Sequence, residues 1–214
     1  MSKKFIVRLI MALAAGALLL ASLRLPLWHM RMEAPQYRGK EALRVFVLPG
    51  SLHGDLKEIK VLNQYIGVSV PETLPQTRWL PGVLCIAAAF GIVGVLSPSR
   101  IRRYAVFSAA GLPAAAMVCA AVQAQVQMYR IGHDRNHHTA LVGIKDFTPP
   151  LLGTRKLAQF ELESQLGPGS FAIGAAVVLY AMAGIASREK KVAASRVASG
   201  AFVSSAQPIS DYAI

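Results

Sequence analysis

The 214-residue chain contains few cysteines, and neither lies where loop chemistry could use it. Cys85 and Cys119 are the only two, and each falls inside a long apolar run. The loops therefore cannot contain a disulfide, a CxxC redox centre or a cysteine-rich zinc site. The sequence also lacks the GxSxG, HExxH, P-loop and dinucleotide-binding signatures, so we do not expect an enzyme.

Acidic residues are scarce, because 11 Asp and Glu accompany 23 Lys and Arg, for a formal net charge of +12. The basic residues gather at the edges of apolar runs, near residues 3–8, 100–103 and 188–196. Under the positive-inside rule these edges face the cytoplasm. We therefore predict no nucleic-acid partner, and we place the chain in a membrane with both termini in the cytoplasm.

Apolar residues make up 54% of the chain, and they form four runs that approach the length needed to cross a hydrocarbon core of roughly 30 Å. The lipid bilayer is thus the first expected partner. The sequence predicts an all-α integral membrane protein with four transmembrane helices and two ordered extracytoplasmic loops packed as a cap. The predicted segments are an N-terminal tail with the first helix (1–23), an extracytoplasmic loop (24–77), the second helix (78–97), a cytoplasmic loop (98–103), the third helix (104–124), an extracytoplasmic loop (125–168), the fourth helix (169–186) and a cytoplasmic tail (187–214).

Three features of the apolar runs refine this topology. The first run could instead be a cleaved signal peptide, which would leave three spans in the same orientation. Pro113 should kink the third helix, while Gly174 and Gly184 allow close helix contact and make oligomerisation through the spans possible. No span has a central acidic residue, which argues against an ion-coupled transporter.

The first predicted loop contains a strand and a helix. Residues 43–48 are typical of a short strand. Asp55 and Glu58 then form a capping box, and an apolar row at helical spacing follows it. We expect this row to be buried against the second loop near Phe147 and Leu151; its members are Leu56, Ile59, Leu62 and Ile66.

The second predicted loop is expected to open with a turn at residues 132–134. A rigid proline-containing stretch follows at 147–153, and a helix is predicted over residues 155–166. Loops of this length without low complexity are usually ordered and functional.

The histidines suggest a metal site, because all five lie outside the predicted spans on one side of the membrane. Imidazoles without thiolates favour copper over structural zinc. The alternative is a hydrogen-bonded loop scaffold. Met30 and Met32 beside His29 would also suit Cu(I), although packing at the membrane interface is the better explanation of the two methionines. The predicted copper ligands are His133 first, then His137 and His138, with His53 as a cross-loop ligand.

Several segments of the two loops are similar to the sequence pattern of a known family. They are residues 26–28, 34–37, 54–55, 62–67, 132–133 and 148–153. Together they resemble a family of small bacterial membrane proteins often encountered alongside the maturation apparatus for nitrous oxide reductase, a periplasmic copper enzyme. The chain departs from that pattern at Gln64, where the family is expected to have histidine. Because an amide is a poor ligand for Cu(I), the resemblance does not imply that Gln64 is a metal ligand.

These observations lead to one expected function and two alternatives. We expect a non-enzymatic membrane accessory protein whose loops dock a membrane or periplasmic protein, in the assembly or copper supply of a periplasmic copper enzyme. The first alternative is a small permease, or a permease subunit, for a metal ion or neutral solute. The second is a structural subunit of a membrane respiratory complex.

Overall fold

The computed structural model describes residues 3–33, 42–66, 77–133, 148–157 and 160–186. Within these ranges the chain forms a helical bundle and a five-stranded antiparallel sheet. In chain order the elements are α1 (Lys3–Ser22), β1 (Trp28–Glu33), β2 (Leu43–Leu48), β3 (Ser51–Gly54), α2 (Leu56–Ile66), α3 (Leu80–Leu96), α4 (Ser99–His133), β4 (Gly153–Leu157), β5 (Phe160–Leu166) and α5 (Pro168–Ile185).

Three helices among the described residues are long and apolar enough to cross a membrane, namely Phe5–Ser22, Tyr104–His133 and Pro168–Ile185. The fourth bundle helix, α3, is equally apolar but has only 17 residues, about 26 Å at 1.5 Å per residue. Helix α4 has 35 residues, about 52 Å, so it extends well beyond a hydrocarbon core. It continues through residues 125–133, where we predicted a loop, and Gly132 and His133 lie in the helix rather than in the predicted turn.

The four long helices pack in a ring, because α3 and α5 each contact both α1 and α4. Small residues allow this close packing. A Cβ atom on Gly91 of α3 would lie 2.1 Å from Cε1 of Tyr180, which is fully buried in α5. Of the two glycines predicted to make close contacts, Gly184 faces the Phe107 ring, whereas no described side chain from another element lies within 4 Å of a Cβ placed on Gly174.

The sheet has the strand order β3-β2-β1-β5-β4. Strand β1 pairs with β5 from Trp28 opposite Leu166 to Glu33 opposite Glu161. The two predicted loops are therefore one folded unit, joined along this pair of strands. The prediction of a strand at residues 43–48 is confirmed by β2.

Two predictions about the loops are wrong. The chain is not all-α, and residues 155–157 and 160–166 lie in the antiparallel strands β4 and β5 instead of a helix. The physical reason is the sequence of β5, in which Glu161, Glu163 and Gln165 alternate with apolar or small residues. A period of two places the alternate residues on one face of a strand, which can then pair with β1.

Helix α2 covers one face of the sheet. Ile59 is 2% exposed and packs with Leu43 and Val45 of β2, while Met30 and Met32 are partly buried around them. Ile59 is therefore buried as predicted, but against the sheet. Phe147 and the side chains of Leu62 and Ile66 lie outside the described part of the chain.

Asp55 connects the start of α2 to β2. Its amide donates to the Arg44 carbonyl oxygen at 2.9 Å, and its carboxylate accepts a hydrogen bond from the Arg44 amide, also at 2.9 Å. The capping box predicts that this carboxylate caps the amides of its own helix. In the structure it binds the neighbouring strand instead, which fixes the beginning of α2 on the sheet.

The sheet is attached to the bundle by hydrogen bonds to the segment between α1 and β1. The Gly167 amide donates to Leu27 O at 2.8 Å, and the Gly169 amide donates to Pro26 O at 2.9 Å. The Ser170 hydroxyl also donates to Leu27 O, at 2.7 Å. A Cβ on Gly167 would lie 2.1 Å from Pro26 O, so this approach requires glycine. The ends of α1 and β5 and the start of α5 thus form a compact junction.

At the end of the bundle away from the sheet, an arginine of α1 contacts the end of α5. Arg8 of α1 is buried, and its guanidinium donates a hydrogen bond to the carbonyl oxygen of Ala186, just after α5. This contact supplies a partner to a carbonyl at the helix C-terminus. It also places the beginning of α1 and the end of α5 at the same end of the bundle, opposite the sheet.

Candidate functional site: the outer face of the sheet

Alternation along the strands gives the sheet two different faces. Trp28, Met30 and Met32 of β1 point to the face that α2 covers, which we call the inner face. His29 and Arg31 point to the opposite, outer face. The outer face carries His29, Arg31 and Glu33 from β1, Arg44 and Phe46 from β2, His53 from β3, Thr154 and Lys156 from β4, and Glu161, Glu163 and Gln165 from β5.

The strand register arranges these side chains in rows across the sheet. The row nearest the bundle runs His53, Phe46, His29, Gln165. The next outer-face row runs Arg44, Arg31, Glu163, Thr154, and the row farthest from the bundle contains Glu33, Glu161 and Lys156. The basic side chains of β1 and β2 thus lie closer to the bundle than the acidic side chains of the last row.

A cavity of about 440 Å³ opens at the foot of the outer face, by which we mean the end of this face nearest the bundle. Polar and charged side chains from three strands form most of its wall, and the two prolines next to the bundle form its base. This volume is in the range of small-molecule pockets, roughly 300 to 1,000 Å³. The cavity is lined by Pro26, His29, Arg31, Arg44, Phe46, Glu163, Gln165 and Pro168.

The two arginines of the cavity have different surroundings. Arg31 forms an ion pair with Glu33 at 2.6 Å and lies directly across from Glu163 of β5. Arg44 lies directly across from Arg31 on the other side, and its side chain is exposed. No described residue forms an ion pair or hydrogen bond with the Arg44 guanidinium. Since like charges directly opposite each other are unfavourable, this pair favours an anion between them.

The predicted metal ligands have separate partners in the structure. The Nε2 atom of His53 lies 3.0 Å from the Ser51 hydroxyl. The Nδ1 atom of His133, at the end of α4, lies 2.9 Å from Tyr129 O, and its ring stacks on the Tyr129 ring with centroids 3.9 Å apart.

His137 and His138 lie outside the described residues. Within the described ranges, no three His, Cys, Asp or Glu side chains gather in a way that could hold a metal ion. A copper site at His133, His137, His138 and His53 therefore remains a prediction.

The segment His29, Met30, Met32 does not form a joint copper site. Both thioethers pack in the inner-face cluster around Ile59, whereas His29 lies on the outer face, where its ring is 6.4 Å from that of Phe46. Adjacent residues of a strand point to opposite faces, so His29 and Met30 cannot share a ligand position. The two methionines therefore pack as apolar side chains, between the sheet and α2.

Three charged side chains and one amide in the cavity were not predicted as site residues from the sequence: Arg31, Arg44, Glu163 and Gln165. A signal was present, because polar and apolar residues alternate in both WHMRME and FELESQL. That pattern predicts half-buried strands with a polar face. What it could not provide is the pairing of the two segments, and only that pairing brings the four side chains together.

The geometry indicates a binding surface. Its arginines, histidine and amide can donate hydrogen bonds to an anionic group, and its carboxylates can accept them. No protein-family model matches this chain, and no curated protein is significantly similar to it in sequence.

Proposed function

We propose that the chain is a non-enzymatic accessory protein of the bacterial inner membrane that docks a protein partner on the outer face of its sheet. The observation that carries the proposal is this face itself, to which all five strands contribute polar or charged side chains that no described element covers. A surface held on a rigid support loses little conformational entropy when it binds a partner.

The proposed topology has four spans, with both termini in the cytoplasm and the sheet outside. Helix α3 lies at the lower limit of the length range for membrane helices, about 17 to 25 residues, and its place in the ring supports its role as the remaining span. The basic residues at 100–103 and 188–196 support the orientation.

The row farthest from the bundle is the proposed contact surface for the partner. It combines Glu33 and Glu161 with Lys156, so this row has one more acidic than basic side chain. This acidic excess complements a basic patch on the partner and would contribute mainly to specificity and association rate. The link to assembly or copper supply of a periplasmic copper enzyme rests on the resemblance of the loop segments and on the predicted histidine ligands.

Site-specific photo-cross-linking tests the docking surface. A photoreactive amino acid replaces Thr154 on the outer face or, as a matched control, Arg155 on the inner side of the same strand; both positions are exposed. Position 154 should yield a discrete adduct in cells containing the copper enzyme, and mass spectrometry should identify that enzyme or one of its maturation components. Position 155 should not.

Charge reversal provides a second measurement on the same adduct. Glu161→Lys should reduce its yield, because the substitution removes the complementarity with a basic patch. Equal adducts from positions 154 and 155, or a yield that Glu161→Lys leaves unchanged, would contradict docking through this face.

A further inference from the structure

We propose that the cavity at the foot of the outer face binds the headgroup of an anionic phospholipid, with its phosphate at Arg44. This inference goes beyond partner docking, because it concerns the cavity between the first two rows of the outer face and needs no second protein. It rests only on the proposed placement of the sheet at the bilayer surface.

The position of the cavity is the first argument. Pro26 follows α1 and Pro168 begins α5, so the base of the cavity lies where two helices leave the hydrocarbon core. Arg31 is three residues beyond Trp28, the first residue of β1, which corresponds to about 10 Å along a strand. The headgroup region occupies roughly 5 to 8 Å on each side of the core. The base of the cavity therefore lies at the depth of the headgroups, and the long side chain of Arg44 can reach the lipid phosphates from the row just beyond them.

Charge is the second argument. Arg44 faces another arginine across the strand pair, and none of the described residues neutralises its guanidinium. Arginine can bind two phosphate oxygens at once through its planar fork of donors. A phosphate at Arg44 would thus remove the unfavourable juxtaposition with Arg31, which already has Glu33 as its ion-pair partner.

The remaining wall of the cavity favours a lipid over a free phosphate. Phe46, Pro26 and Pro168 supply apolar surface beside the charged side chains, as the glycerol and upper acyl region of a lipid would need. Glu163 would repel a second anionic group but can accept a hydrogen bond from a headgroup hydroxyl. This combination fits a single phosphodiester that carries a hydroxylated headgroup, such as phosphatidylglycerol.

The test is a titration of the full-length protein in mild detergent, followed by native mass spectrometry. The probes are short-chain phosphatidylglycerol below its critical micelle concentration, phosphatidylcholine with the same chains, and glycerophosphoglycerol as the headgroup without chains. The variants are Arg44→Gln, Arg44→Lys and, as a matched control, Lys156→Gln. Lys156 is also exposed on the outer face but lies in the row farthest from the bundle.

Phosphatidylglycerol should bind the unmodified protein more tightly than either other probe, and higher salt should weaken its binding. Arg44→Gln should lower that affinity roughly tenfold, the effect of one charge-assisted contact. Arg44→Lys should reduce the affinity for phosphatidylglycerol less than Arg44→Gln does. Lys156→Gln should change this affinity less than about twofold, because it removes the same charge at a position away from the cavity. Arg44→Gln should fold normally, because only the backbone of Arg44 binds Asp55.

Three results would overturn the proposal: unchanged affinity in Arg44→Gln, equal binding of phosphatidylcholine, or equal binding of free glycerophosphoglycerol. The last would assign the cavity to a soluble phosphodiester. None of these results depends on the protein partner, so the docking proposal would stand or fall separately in the cross-linking experiment.

Discussion

Replacing Ile59 by Asp should release α2 from the sheet and destabilise the whole unit that the five strands and α2 form. Ile59 is 2% exposed, so the substitution loses nearly the full burial of an isoleucine side chain, roughly 1.5 to 3 kcal/mol. It also places a carboxylate among Leu43, Val45 and the two partly buried methionines of β1. That carboxylate must be desolvated, become protonated or leave the site with the helix.

The loss in the free energy of unfolding has an upper limit, because α2 can detach from the sheet instead of keeping the introduced carboxylate buried. We therefore expect a loss of roughly 2 to 4 kcal/mol in the free energy of unfolding of the unit formed by the sheet and α2. This corresponds to a rise of roughly 30-fold to 700-fold in the population of the open state. Val61→Asp is the matched control, since Val61 lies on the same helix but is 55% exposed.

Limited trypsin digestion of the full-length protein in lipid nanodiscs measures this population. Cleavage after Lys57 in α2 and after Arg155 in β4 should accelerate together in Ile59→Asp, because both elements belong to one sheet unit joined through β1 and β5. Val61→Asp should behave like the unmodified protein. Faster cleavage at Lys57 with unchanged cleavage at Arg155 would refute the view that the two segments unfold together.

Two further predictions concern orientation and metal. In a background with both native cysteines replaced, Thr154→Cys should react with an impermeant reagent in intact cells and Ser204→Cys only after lysis; the reverse order would overturn the proposed topology. The purified protein should bind about one Cu(I) per chain against a competing chelator, and the double change His133→Ala, His137→Ala should abolish that binding while leaving expression unchanged. Stoichiometric binding that survived the double change would remove these two ligands from the site.

Local signals predicted the parts of the fold that depend on neighbours in sequence. The apolar runs indicated the helices long enough to cross a membrane, and the strand at Leu43–Leu48 is confirmed. Asp55 correctly marked the start of α2, although its carboxylate binds the Arg44 amide. Each of these features is determined within about 20 residues of chain.

The sheet and its cavity could not be predicted in the same way, because they depend on pairing between distant segments. Residues 160–166 contain enough Glu and Leu to suit a helix, and pairing with β1 on one side and β4 on the other stabilises them as a strand. Arg31 and Glu163 face each other through this pairing alone. Without the register, the sequence shows charged residues but not which of them share a surface.

The pairing of β1 with β5 has a consequence for how the protein is made. About 130 residues separate the end of β1 from the start of β5, and at roughly 5 to 20 residues per second their synthesis takes roughly 6 to 25 s. During that interval β1, β2 and β3 can form a meander, but the β1 edge stays open to wrong pairing. In the proposed topology, it closes only after α3 and α4 have been inserted and β5 has been exported. Completion of the sheet then requires that the preceding helices have reached their places, and a chain arrested before β5 would expose an unpaired edge to quality-control proteases.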